Sequence, residues 1–266
     1  MRLGGQGWNY DAWVGPYYPS GTKPAVFLST YARAFDTVEV DSTFYAVPPK
    51  KNAISWRQRT PDGFTFALKL PQEITHERKF KDAGDVLVQF IEVARELGPK
   101  LGPILIQCGP DLGPDQFPAV EAFLPLLPPD VQFAIEFRQR GWISDDVLAL
   151  LKDHRVALAL SDGRWIPRKT LVQLAEEPTN PDFAYIRFMG PDRSIVDYSR
   201  IQVDRSKELD TWADTLRGLM GRVKTAFVYF NNHFAGHSPA SIRMMQERLG
   251  LKVTQPEALG EQISLF

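Results

Sequence analysis

Along the chain, short β-type apolar runs alternate with stretches whose apolar positions recur at the helical period of 3.6. The runs predict strands at 2–7, 37–42, 64–70, 103–108, 131–137, 156–161, 183–189 and 225–232. Between them the clearest helical patterns are 83–97, 206–221 and 238–250, with shorter ones at 24–34, 50–59, 116–127, 144–152 and 168–175. Ser206 and Ser238, the latter followed by Pro239, read as amino-terminal caps, and Gly98, Gly221 and Gly250 sit where helices stop. Eight strand-then-helix units predict a single-domain α/β fold, a (β/α)8 TIM-type barrel over residues 1–250, followed by a polar tail at 251–266. A doubly wound sheet is the alternative. It typically carries a glycine-rich phosphate loop after the first strand, whereas here Gly5 and Gly7 lead into Trp8 and Asn9, with Tyr10 where a third glycine belongs.

Strand alternation sorts side chains into two faces. Val38 and Val40 oppose Glu39 and Asp41; Ile135 and Phe137 oppose Glu136 and Arg138. The same split sets Leu68 and Leu70 against Lys69, Ile104 and Ile106 against Gln107, Ile186 and Phe188 against Arg187, and Phe230 against Tyr229 and Asn231. Apolar faces pack under helices, where an unpaired charge is costly, so the polar set is expected to point inward at the strands' carboxyl ends. The expected ring is Gln6, Glu39, Asp41, Lys69, Gln107, Glu136, Arg138, Arg187, Tyr229 and Asn231, joined by Ser161 and Asp162. Such a ring reads as a ligand site, against the plainer reading of an ion-pair network that plugs the barrel. Rim cations among them Arg164, Arg193, Arg200, Arg78, Lys79 and Lys81 tilt the expected ligand toward an anion such as a phosphate.

Composition narrows the classes. With 31 basic and 32 acidic side chains the chain lacks a basic coat for non-specific nucleic-acid binding. Cys108 is the only cysteine, which excludes a disulfide framework and cysteine metal clusters and leaves a packed core thiol as its expected state. No apolar run approaches the ~20 residues that span a bilayer and the amino terminus shows no signal-peptide run, so a cytoplasmic protein without membrane partners is expected. Four histidines in no HExxH spacing offer no zinc-type site. The cofactor stays open: Glu39, Asp41, Glu136 or Asp162 suit a divalent cation chemically, but no spacing demands one. His76 is the best general acid or base, and His233 and His237 share one loop.

The strand-end strings carry a resemblance. GxxGWxYxxWxGxxYP at 4–19, VEVDSTFYAVP at 38–48, FTFALKLPQEITH at 64–76, LGPILIQCGP at 101–110, AIEFRQRGW at 134–142, YIRFMG at 185–190 and VYFNNHFAGHSP at 228–239 resemble the domain-of-unknown-function 72, or YecE-like, family. The resemblance implies a TIM-type barrel distantly similar to those of endonuclease IV and xylose isomerase, and no agreed activity. It carries over Trp8, Glu39, Asp41, Thr43, Tyr45, Lys69, Thr75, His76, Gln107, Glu136, Arg138, Trp142, Asp162, Arg187, Gly190, Asn231 and Asn232. Gln139 and Met189 stand where many relatives carry histidine.

Gln262, Ile263, Ser264, Leu265 and Phe266 resemble the QL[SD]LF peptide by which bacterial replication and repair proteins dock on the DNA polymerase sliding clamp. Leu265 and Phe266 would fill an apolar pocket and Gln262 would add a directional hydrogen bond, with TQPEALGE as a flexible connector; folding back on the barrel is the alternative. The expected function is hydrolytic: a clamp-recruited enzyme acting on a phosphorylated or nucleic-acid-derived substrate. Glu136 and Glu39 would be acid/base or metal-binding carboxylates, Lys69 and Arg187 anion holders and His76 a proton carrier. Trp8, Asp41, Tyr45, Gln107, Arg138, Trp142, Asp162, Tyr229, Asn231 and Asn232 would line the ligand. The alternatives are a sugar or sugar-phosphate isomerase or hydrolase that stacks its substrate on Trp8 and Trp142, and a non-enzymatic clamp-associated nucleotide-binding module.

Overall fold

A computed structural model describes residues 1–260, and in it the eight expected strands form one parallel sheet. They are β1 (Arg2–Gly5), β2 (Thr37–Val40), β3 (Thr65–Lys69), β4 (Leu101–Gln107), β5 (Phe133–Glu136), β6 (Ala157–Gly163), β7 (Phe183–Gly190) and β8 (Thr225–Phe230). Each strand pairs with its sequence neighbour and β1 pairs with β8. The remaining seam closes where Gln6 bridges Glu39 and the Gly7 amide donates to the Glu39 carbonyl at 2.8 Å. Gly4 makes that seam possible: a Cβ there would lie 2.0 Å from the Thr37 carbonyl oxygen.

Helices α1 (Pro24–Tyr31), α2 (Lys50–Gln58), α3 (Gly84–Arg95), α4 (Phe117–Phe123), α5 (Asp145–Asp153), α6 (Arg168–Leu174) and α7 (Ser206–Leu219) fill the crossovers. After β8 come α8 (Asn232–Ala235), α9 (Ser238–Arg248) and α10 (Glu257–Gly260). The two expected serine caps act differently. Asp204 accepts from the Ser206 amide at 2.9 Å, and the Ser238 hydroxyl donates to the Phe230 carbonyl at 2.9 Å, tying α9 to β8 instead of capping it. No helix among the described residues is long and apolar enough to cross a membrane.

Two separate cores confirm the alternation. Val38, Ile104, Ile135, Ile186 and Val228 pack in the layer under the helices, while Ala67, Leu105, Ala134, Ala157, Ala159, Phe183, Tyr185, Phe227 and Tyr229 fill the barrel. Inside the barrel, alanines from β3, β5 and β6 face aromatics from β7 and β8, so small and large residues interdigitate. Cys108 is buried in the outer layer, where burial pushes its thiol pKa well up. The connector after α9 is anchored where a flexible one was expected. Leu259 is buried, and Arg33 donates from Nη1 to the Leu259 carbonyl at 2.7 Å and from Nη2 to the Ala258 carbonyl at 3.0 Å. The clamp-like peptide Gln262–Phe266 lies outside the described residues.

Candidate active site at the barrel mouth

The inward polar residues form two tiers, and the lower one is sealed. Arg187, within β7, is 1% exposed and spans the barrel. Its Nε and Nη2 grip both Glu39 oxygens at 3.0 and 2.7 Å, while its Nη1 binds Glu136 and donates to Gln107 Oε1 at 3.2 Å. Tyr185 donates to Glu39 at 2.6 Å. Burial raises the Glu39 pKa, with Asp41 adding like charge against the pull of Arg187. Burial works the same way on Glu136, but there Arg187 and Arg138 override it and hold the carboxyl down at about 2. The difference lies in the neighbours. Glu136 has a second guanidinium, with Arg138 Nε at 3.2 Å, and the Ser161 hydroxyl at 2.5 Å.

Above this floor the side chains open to the mouth. On the β2–β4 side, Lys69 Nζ lies 3.2 Å from Asp41 and 4.4 Å over the Phe44 ring, and the Thr43 hydroxyl donates to the Lys69 carbonyl at 2.8 Å. His76 sits in a π-helical turn at Glu73–Glu77, its Nδ1 2.8 Å from the Thr75 hydroxyl and its ring edge-on to Phe44. Burial, and then the charge of Arg138, push its pKa below the ordinary value, so the imidazole is neutral at pH 7.

On the β5–β8 side a cleft of about 150 Å³ opens beside Glu136, Arg138 and Ser161. Its far wall is Arg164, Trp165, Asp192, Arg193 and His233. The Arg164 guanidinium lies 4.1 Å from the Trp165 ring centre and that of Arg138 5.6 Å. Arg164 and Arg193 are exposed, and among the described residues neither forms an ion pair. Gly163 and Gly190 end β6 and β7 beneath them. Gly190 has φ 78°, and a Cβ there would lie 2.3 Å from the His233 carbonyl oxygen, so only glycine fits. His233 Nε2 meets the Tyr198 hydroxyl at 3.2 Å, and Asn231 caps the His233 amide at 2.8 Å while donating to Gln6 at 2.8 Å.

Of the residues named from sequence, Asp41, Tyr45, Lys69, His76, Arg138 and Asn231 stand at the mouth, with Glu136 and Gln107 at its floor. Others are elsewhere. Glu39 and Arg187 are locked to each other, so Glu39 is no accessible base and Arg187 no anion holder. Asp162 points outward, as alternation after Ser161 requires, and binds Arg168 at 2.6 Å and the Trp212 indole at 2.7 Å. Tyr229 is buried, its hydroxyl 2.9 Å from Thr37 at the amino end of β2. Asn232 accepts from Trp13 and from the Ser238 amide. Trp142 is fully buried, stacked on Phe137 with its indole donating to the Leu112 carbonyl at 2.9 Å, and Trp8 packs against Trp56 and Phe66. Trp142 is therefore no sugar platform, whereas Trp8 is half-buried and lines, with Tyr10 and Asp41, an open cavity of about 570 Å³. His237 is buried and gives its Nδ1 proton to the Tyr198 carbonyl at 2.7 Å, so it is no partner for His233 on a shared ligand. The four carboxylates suited to a cation do not converge, and among the described residues no three His, Cys, Asp or Glu side chains form a metal-holding group. Arg164, Trp165 and Arg193 are not among the residues the sequence assigns to the ligand, although the excess of loop cations points to two of them; Ser161, a member of the expected ring, lines the cleft with them.

The family described as "Protein of unknown function DUF72" matches residues 2–263. The UPF0759 protein YecE of Escherichia coli (strain K12) is 27% identical over 285 residues, with 97% of each chain covered. The crystal structure of a DUF72 family protein from Thermotoga maritima MSB8 matches with a TM-score of 0.78 at 24% identity, over 94% of this chain and 98% of that one. D-Psicose 3-epimerase from Clostridium cellulolyticum H10, determined with D-tagatose, matches with a TM-score of 0.55 at 9% identity, over 94% of this chain and 96% of that one. At such identities these likenesses are of fold.

Proposed function

We propose, for a chain that belongs to the DUF72 family, that the barrel mouth binds a small phosphate-bearing molecule and hydrolyses it. One observation carries the reading: Arg164 and Arg193 enter one cleft from consecutive loops, over the glycines that end β6 and β7, and among the described residues neither forms an ion pair, although Asp192 also lines the cleft. Guanidinium groups in that state match phosphate oxygens in geometry and charge. Arg138, tied to the ionised Glu136, lines this cleft and is near enough to His76 for its charge to act on the imidazole. A neutral His76 is the group suited to take a proton from an attacking water. Glu136 stays ionised and orients its neighbours.

Calorimetric titration with ribose 5-phosphate and with ribose tests the binding. The phosphate is expected to bind and the sugar not, and Arg164→Met with Arg193→Met should weaken phosphate binding by about 100-fold with an unchanged melting temperature. Equal binding of the two compounds would overturn the reading in favour of the sugar alternative. His76→Ala should abolish phosphate release while sparing affinity; a wild-type protein that binds phosphorylated compounds but turns none over is a binding module instead.

Recruitment to the sliding clamp through Gln262–Phe266 is the second part of the proposal, supported by the sequence of those residues. A labelled QISLF peptide on purified clamp should be displaced by the whole chain and not by its Leu265→Ala, Phe266→Ala variant. No displacement at ~100 μM would remove the clamp from the account.

A further inference from the structure

Trp8 and Trp142 both follow barrel strands, but only Trp8 borders open space. It stands on the rim between β1 and β2, in a cavity of about 570 Å³ lined also by Tyr10 and Asp41, by the start of α1 at Pro24 and by Arg59 after α2. The ring is held in place before any ligand arrives. The Gly7 amide donates to the Glu39 carbonyl at 2.8 Å, the buried Tyr18 hydroxyl donates to the Trp8 carbonyl at 2.6 Å, and the indole packs edge-on against Trp56 and Phe66. Little ordering entropy is then lost on binding.

The polar groups around this platform are uncommitted. The indoles of Trp13, Trp142 and Trp212 each donate to an acceptor within the protein, whereas the Trp8 N–H has no partner among the described residues and is open to solvent. Asp41 gives one oxygen to Lys69, which is not itself a lining residue, and its other oxygen has no partner among the described residues. The exposed side chains of Asn9 and Ser42 form no hydrogen bond among them either. Arg59 is tied by Nε and Nη1 to the Ser55 and Ala25 carbonyls at 3.4 and 3.1 Å. Asp41 and Arg59 are the charged members of the lining, one of each sign, so the lining itself carries no net charge.

We infer that this rim cavity binds a neutral oligosaccharide, independently of the phosphate cleft. A sugar ring lays an apolar face on an indole, and each of its hydroxyls both donates and accepts, which suits a lining of indole N–H, amide, hydroxyl and free carboxylate oxygen. The edge of a nucleobase presents fixed donors and acceptors and would leave part of that lining unpaired. The cavity is wide enough for several linked rings, so a single pentose such as ribose leaves most of it to water.

Calorimetry on the whole chain with cellotetraose, xylotetraose and maltotetraose tests this, with tetragalacturonate as the acidic control and adenosine as the base control. At least one neutral tetrasaccharide is expected to bind, and to bind the Arg164→Met, Arg193→Met variant equally well, which separates this site from the phosphate cleft. Trp8→Ala should weaken that binding by about tenfold or more, and Trp8→Phe, which keeps a ring, by about threefold. Asn9→Ala, at an exposed position, should weaken it about threefold with an unchanged melting temperature. Four results would each overturn the inference: no neutral tetrasaccharide bound, tighter binding of tetragalacturonate or adenosine, loss of binding in the double arginine variant, or full affinity in Trp8→Ala, read instead from Asn9→Ala where Trp8→Ala does not fold.

Discussion

Arg187 and Arg193 lie six positions apart, one within β7 and the other in the loop that follows, and they do opposite things. Arg187 is sealed between Glu39 and Glu136, every arm of its guanidinium used. Arg193 stands in solvent at the cleft and forms no ion pair among the described residues, its neighbour Asp192 being turned to Ser194. An inward-pointing charge on a barrel strand is therefore not the same as a charge available to a ligand. Strand positions converge at the axis, where opposite charges meet and neutralise each other. Loop positions diverge at the rim, where a cation can be left for a partner that arrives from solution.

The largest effect that separates the two tiers is on stability. Arg187→Met strands two buried carboxylates and should cost about 3–5 kcal/mol in denaturant unfolding, whereas Arg193→Met should stay within about 0.5 kcal/mol. Similar costs for both would erase the distinction. Acid should give the next largest effect. Glu136 is held at about 2 against a reference of 4.5, so the stability it contributes is complete above pH 4.5 and is lost as pH falls toward 2. On the order of 2–3 kcal/mol should disappear across that window, and Glu136→Gln should flatten that part of the pH profile. A variant that follows the wild-type slope would show that Glu136 is not the group held down.

The fold was legible because period-2 alternation is a local property: Val38, Ile135 and Ile186 announce the outer layer by themselves. The inward set was legible for the same reason. What became of its charges was not, since Glu39 and Arg187 are 148 positions apart and only barrel closure brings them together. Asp162 shows the converse. β6 runs on to Gly163 with a bulge after Asp162, so a residue that looked like a strand-end ligand belongs to the outer face and serves α6 and α7. Trp142 and Trp165 differ in burial alone, which no local pattern reports: one is stacked on Phe137 and the other sits on the cleft wall. The π-helical turn that presents His76 has no sequence signature in the helical periodicity.

The central claim is that ligands meet the rim and not the sealed tier or the layer behind the strands. Indole proton–nitrogen correlation spectra of the whole chain, recorded while ribose 5-phosphate is added, test it at the tryptophans. The Trp165 indole should shift in a saturable way. The indoles of Trp142 and Trp212, bonded to the Leu112 carbonyl and to Asp162, should stay in place. Shifts at Trp142 or Trp212 with Trp165 unmoved, or no shift at any of the three, would contradict the account.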